Sequence, residues 1–106
     1  MKYKLVYSPM ALSDLDNAWD DVYEASQDSD IADKYLSELC DKLRKICKCP
    51  KTGECLYYDG IFTGIYYVTH KKYSAFYRLR SGRLEVSRVL YNRSDYIKLV
   101  TQIMKE

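Results

Sequence analysis

The chain is short of several things that would narrow its chemistry at once. Of its 106 residues only one, His70, is a histidine, so acid–base chemistry must rely on other groups or on this single ring. No apolar run approaches the ~18 residues needed to span a bilayer. The opening Met1-Lys2-Tyr3-Lys4-Leu5-Val6-Tyr7 is too short and too polar for a secretory signal, and the expected location is the cytoplasm. The four cysteines, Cys40, Cys47, Cys49 and Cys55, are spaced seven, two and six apart. That fits neither paired CxxC knuckles nor a Cys/His finger. Cys40 and Cys47 instead share one face of a helical pattern with leucines, where a thiol acts as a small apolar group. Reduced thiols are expected, with no metal and no cofactor. Repeats, low-complexity tracts and interdomain linkers are also missing, which leaves one domain over residues 1–106.

What the chain does have is tyrosine and a divided charge. Twelve of its residues are tyrosine, and the formal net charge is +2. Residues 1–50 carry 7 Lys and Arg against 10 Asp and Glu, and residues 51–106 carry 10 against 5. Between Lys71 and Arg93 stand seven bases and a single acid, Glu85. An acidic half joined to a basic half suits a polyanionic or acidic partner on one surface. The same bases also suit a solvated sheet edge, where they discourage aggregation.

Periodicity divides the chain into elements. Tyr3–Tyr7 reads as a strand with Tyr3, Leu5 and Tyr7 on one side. Ser8-Pro9 is a helix start, a hydroxyl cap followed by proline where its missing N–H costs nothing. Leu12, Leu15, Trp19 and Val22 continue at helical spacing. Ser26–Asp30 breaks that pattern and provides a cap for a second helix, whose stripe is Ala32, Leu36, Leu39, Leu43 and Ile46. Pro50 and Gly53 close it. Two helices about a short polar turn predict an antiparallel hairpin. Beyond Gly60, Ile61–His70, Tyr73–Leu79 and Arg83–Leu90 predict three strands of an antiparallel meander. Ile97, Val100 and Met104 predict a short closing helix from about Ser94. The expected class is α+β, with the helical hairpin on one face of a small antiparallel sheet and the other face left for solvent or ligand.

Four segments, in this order, resemble the RelE/ParE superfamily of toxins from bacterial type II toxin–antitoxin modules. They are "YKLVYSPMALSDLD" at 3–16, "ADKYLSELCDKLRKICKCPKTGE" at 32–54, "YSAFYRL" at 73–79 and "SRVLYNRSDYIKLV" at 87–100. The resemblance spans nearly the whole chain. It implies a small α+β fold, growth arrest by the free toxin, and neutralisation by a cognate antitoxin in a hetero-oligomer. Two activities divide the superfamily. RelE-type members are similar to ribonucleases that cut messenger RNA on the ribosome, and ParE-type members resemble one another as poisons of DNA gyrase.

Cutting RNA without a metal needs a base for the 2′-OH, cations for the phosphorane charge and an acid for the leaving oxygen. Arginine suits the second task through bidentate phosphate binding. Tyrosine suits the others only where cations lower its pKa. The expected catalytic set is therefore Arg93, Tyr96, Tyr91 and Arg78, with Arg88, Lys71, Lys72 and Arg80 as RNA-binding bases. The opposing reading makes Tyr91 and Tyr96 packing residues and Arg93 a solvated cap. His70, beside Lys71-Lys72, is expected in an exposed hairpin turn. The stretch "GECLYYDGIFTGIYYV" has no base between Lys51 and Lys71, where RelE-type sites gather lysines and arginines. The long helical hairpin over 9–48 is closer to the ParE branch, whereas "YNRSDY" at 91–96 leans toward the RNA-cleaving one. Messenger RNA cleavage is the expectation, gyrase poisoning the alternative, and an inactive antitoxin-binding member a third reading. No membrane partner is expected.

Overall fold

The computed structural model describes residues 3–91. The expected closing helix, Arg93 and Tyr96 lie outside the described residues. The chain begins with strand β1 (Lys4–Tyr7) and passes directly into helix α1 (Pro9–Ser26). Ser8 caps α1 as its residue type requires: its hydroxyl accepts the Ala11 N–H at 3.0 Å, and Pro9 fills the first helical position. Gln27 adopts a left-handed φ of 56° and ends α1. Asp28 then caps helix α2 (Ser29–Ile46), its carboxylate accepting the Asp30 and Ile31 N–H groups at 2.9 and 3.4 Å. With only Gln27 and Asp28 between them, the helices must fold back as a hairpin. The Trp19 indole N–H donates to Asp33 at 2.8 Å and ties the two together.

The stripe expected on α2 is largely the buried one: Ala32, Leu39 and Leu43 are fully enclosed. On α1 the structure corrects the expectation. Ala11 and Ala18 are the enclosed residues, Leu15 and Val22 pack partly, and Leu12 stands 51% exposed. Alanines let the helix lie close against the sheet, which rotates Leu12 out toward water.

After a 3₁₀ turn at Pro50–Thr52 come β2 (Glu54–Tyr58), β3 (Ile61–His70), β4 (Tyr73–Arg80) and β5 (Arg83–Tyr91). The sheet order is β1-β5-β4-β3-β2, antiparallel except for the parallel β1–β5 pair. β2 is the strand that periodicity missed. Its pairing depends on Asp59-Gly60, both at positive φ (53° and 78°), the conformation of a tight hairpin turn. Ser81-Gly82 turns β4 into β5 in the same way, at 48° and 75°.

Alternation along β4 assigns the faces. Tyr73, Ala75 and Tyr77 join Leu39, Leu43 and Cys47 in the main core beneath the helices. Fully burying Leu39 or Leu43 stabilises the fold by roughly 1.5–3 kcal/mol. Tyr77 is the largest enclosed side chain, and its hydroxyl donates to the Pro50 carbonyl at 2.7 Å, pinning the 3₁₀ turn to the sheet. Phe76 faces the other way and forms a second cluster with Ile65 and Leu90, against which Leu56 and Tyr67 pack. The structure corrects the expectation that the face without helices is bare: its centre is the enclosed apolar cluster of Ile65, Phe76 and Leu90, drawn from β3, β4 and β5.

Candidate functional site

The geometry of the candidate residues turns on one irregularity in β5. Tyr77 pairs with Val86 but Phe76 pairs with Arg88, so Ser87 is an extra residue in the strand, a β-bulge. α1 holds the bulge at two points. The Ser8 hydroxyl donates to the Ser87 carbonyl at 2.8 Å, and the Ser8 N–H donates to the Val86 carbonyl at 2.9 Å. Asp14 then receives Arg88 Nε at 2.7 Å, Arg88 Nη2 at 3.1 Å and the Val89 N–H at 3.0 Å. The Arg88 and Asp14 side chains are only 14% and 13% exposed. Hydrogen bonding to Asp14 raises the guanidinium pKa further, against the opposing effect of burial. Arg88, read from sequence as an RNA-binding base, has its Nε–Nη2 edge committed to the Asp14 carboxylate of α1.

The bulge also decides where Tyr91 points. Leu84 and Val86 face the helices; one extra residue makes Val89 and Tyr91 face them too. Tyr91 packs edge-on against Tyr73, with ring centroids 5.4 Å apart. Arg78, opposite Glu85, lies on the other face with Phe76. The two described members of the expected catalytic set are thus on opposite sides of the sheet.

Tyr91 lines a groove of about 740 Å³ between the hairpin and the β3–β4 turn, with Asp21, Val22, Ile31, Tyr35, Lys71, Lys72 and Tyr73. Tyr73 donates to Asp21 at 3.2 Å, and burial followed by the Asp21 charge pushes its pKa up. The Lys71 ammonium stands 5.1 Å over the Tyr35 ring and 3.9 Å from Glu38. The Lys72 N–H donates to the Tyr35 hydroxyl at 3.0 Å. Lys71 and Lys72 thus sit at this groove, on the helix side. Tyrosines in such settings hold their protons: Tyr77 is pushed up to about 12 by burial, and Tyr7 is raised as well, mainly by burial.

His70 does not stand in an exposed turn. β3 runs through to it, and α2 lies across, leaving it 8% exposed with its ring edge-on to Tyr35. Its Nε2 lies 3.4 Å from a Glu38 carboxylate oxygen. Among the described residues, no group of three or more His, Cys, Asp or Glu side chains is placed to hold a metal ion.

The remaining expected base, Arg80, stands at the helix-free face in company that the sequence did not reveal. Lys4 on β1 is opposite Arg83 on β5, and Arg83 is opposite Arg80 on β4. Their flanking residues Leu5, Leu79 and Leu84 belong to the helix-side core, so all three cations project from the other face. Glu85, 3.3 Å from Arg83 and 3.8 Å from Arg80, answers two of them, and Arg78 lies opposite Glu85 one position further in. Strand parity could have suggested that Arg78, Arg80 and Arg83 share a face. Lys4 could not have been found, because only the non-local β1–β5 pairing brings it there.

Comparison with known proteins places this geometry. The sequence matches the family model of the ParE toxin of type II toxin–antitoxin systems over residues 5–96. No curated protein matches it. Among solved structures, the chromosomal ParDE toxin–antitoxin system of P. aeruginosa superposes with a TM-score of 0.70 at 17% identity, over 85% of this chain and 96% of that one. The toxin–antitoxin complex RelBE2 of Mycobacterium tuberculosis superposes at 0.61 and 15% identity, over 86% and 99%. At these identities the likeness is one of fold.

Proposed function

The chain belongs to the ParE toxin family of type II toxin–antitoxin systems, and on that footing we propose that it arrests growth by binding its target rather than by cutting RNA. The observation that carries this reading is the division of the expected catalytic set. Tyr91 faces the helical hairpin and Arg78 faces away from it, so they do not converge on one scissile phosphate. Arg88 is committed to Asp14 and is not free to hold a phosphate. The target that the family resemblance implies is DNA gyrase held on DNA.

A cognate antitoxin is the second part of the proposal. The groove beside Tyr35, Tyr73 and Tyr91 has Val22, Ala25 and Ile31 along one wall and Lys71 and Lys72 at its mouth. An amphipathic antitoxin helix fits such a groove, apolar side chains inward and acidic ones toward the lysines.

One induction experiment tests the reading. RNA ends and DNA breaks are mapped together after expression without antitoxin. The expected result is accumulating DNA breaks with intact messages, unchanged when Arg93→Ala and Tyr96→Phe are combined. Messages cut within codons, together with loss of toxicity in that folded double variant, would return the activity to RNA cleavage.

A further inference from the structure

The lateral row of Lys4, Arg83 and Arg80 has no structural explanation. Cations directly opposite one another across strands destabilise a sheet, and this row places three side by side across β1, β5 and β4. The Arg80 and Arg83 side chains are 60% and 51% exposed, and a single carboxylate, Glu85, is shared between them. A sheet built only for stability would alternate charges at these positions.

We propose that Lys4, Arg83 and Arg80 form a phosphate-binding row that seats the protein against the backbone of duplex DNA. Strands stand ~4.8 Å apart, so the row extends about 10 Å, equal to about three axial steps of ~3.4 Å between successive phosphates on one strand. The surface suits a duplex rather than a single strand because base stacking needs exposed rings. The exposed rings Tyr57 and Phe62 are not beside the row. They join, through Tyr66, the stack on Tyr77 of the helix-side core. On the row's own face Phe76 is 1% exposed and the half-buried Tyr67 is packed against it, with ring centroids 5.8 Å apart. The charge of the molecule is also polarised to match. Helix α1, on the opposite face, carries Asp14, Asp16, Asp20, Asp21 and Glu24 and no lysine or arginine, so a polyanion is steered to the row.

The inference rests on the binding-toxin reading only for its consequence in the cell; the contact itself is measured with purified protein. Fluorescence anisotropy of the full chain with a labelled random-sequence duplex, titrated with salt, should give a log–log slope near −3, each phosphate contact contributing about −0.9. Lys4→Gln, Arg80→Gln and Arg83→Gln should each weaken binding several-fold and flatten the slope by about one. Arg80→Lys with Arg83→Lys should restore the slope, which separates lost charge from lost fold. Lys71→Gln with Lys72→Gln, at the groove on the other face, should change neither quantity. The proposal is overturned if the duplex does not bind, if the triple Gln variant keeps the full slope, if the groove variant weakens binding equally, or if single-stranded RNA of equal length binds more tightly. DNA breaks in cells without duplex binding in vitro would sink this inference and leave the binding-toxin reading standing. Duplex binding with cut messages would do the reverse.

Discussion

Arg83 and Arg88 lie five positions apart on one strand and have opposite fates. Arg88 meets Asp14 of α1 in a two-pronged contact, and the Asp14 carboxylate, like Arg88 largely buried, also accepts the Val89 N–H. Arg83 meets another cation on each side and half of one glutamate, in water. The difference lies in what crosses the strand. Where α1 crosses β5 it brings a carboxylate to the bulge, and the arginine becomes part of the fold. Where only β1 and β4 flank it, the strand offers more cations, and the arginine stays available to a partner. A charged residue in this sheet is structural or functional according to its neighbour across the strand, and its own identity does not decide.

That contrast can be broken first at its buried end. Asp14→Ala leaves the Arg88 guanidinium enclosed without a counter-charge and the Val89 N–H without an acceptor. It should cost about 3 kcal/mol or more, read as a lower denaturation midpoint. If the loss is under about 1 kcal/mol, the Asp14–Arg88 contact does not organise the bulge. Next comes the anchor beside it. A Cβ at Gly53 would stand 2.1 Å from the Tyr77 hydroxyl, so Gly53→Ala must displace the Tyr77–Pro50 hydrogen bond. It should cost about 2 kcal/mol. In Tyr77→Phe the same substitution should cost visibly less, a non-additivity that a double-mutant cycle detects.

A pH titration sharpens the same region. Tyr77 titrates near 10 when unfolded and is pushed up to about 12 in the fold. Its protonated form is therefore favoured by folding. The stability it contributes is complete below pH 10 and is lost as the pH rises toward 12. Tyr77→Phe should remove that part of the alkaline decline, and an unchanged decline would argue against the buried hydroxyl. The smallest expected effect is at the exposed end. Arg83→Gln should change stability by no more than about 0.5 kcal/mol, because its ion pair is solvated and its other neighbours are cations. A loss comparable to that of Asp14→Ala would erase the distinction between the two arginines.

The amino-acid sequence by itself determined what depends on near neighbours. Ser8-Pro9 and Asp28 cap the helices as their side chains require, Leu39 and Leu43 mark the buried side of α2, and β3 runs from Ile61 to His70 as its β-branched and aromatic residues predict. Five backbone positions apart, however, Arg83 and Arg88 look alike, and period-two counting from Leu84 and Val86 puts Tyr91 outward. The tertiary structure decided otherwise by inserting Ser87 as a bulge, which shifts the parity of all that follows and carries Tyr91 away from Arg78. It also decided the parallel pairing of β1 with β5, which sets Lys4 beside Arg83, and the depth at which α2 encloses His70. Caps and stripes are written in contacts three or four residues apart, whereas a bulge, a parallel pair and a buried ion pair are set by contacts across some 75 residues of chain, as between Asp14 and Val89, and local periodicity carries no signal at that range.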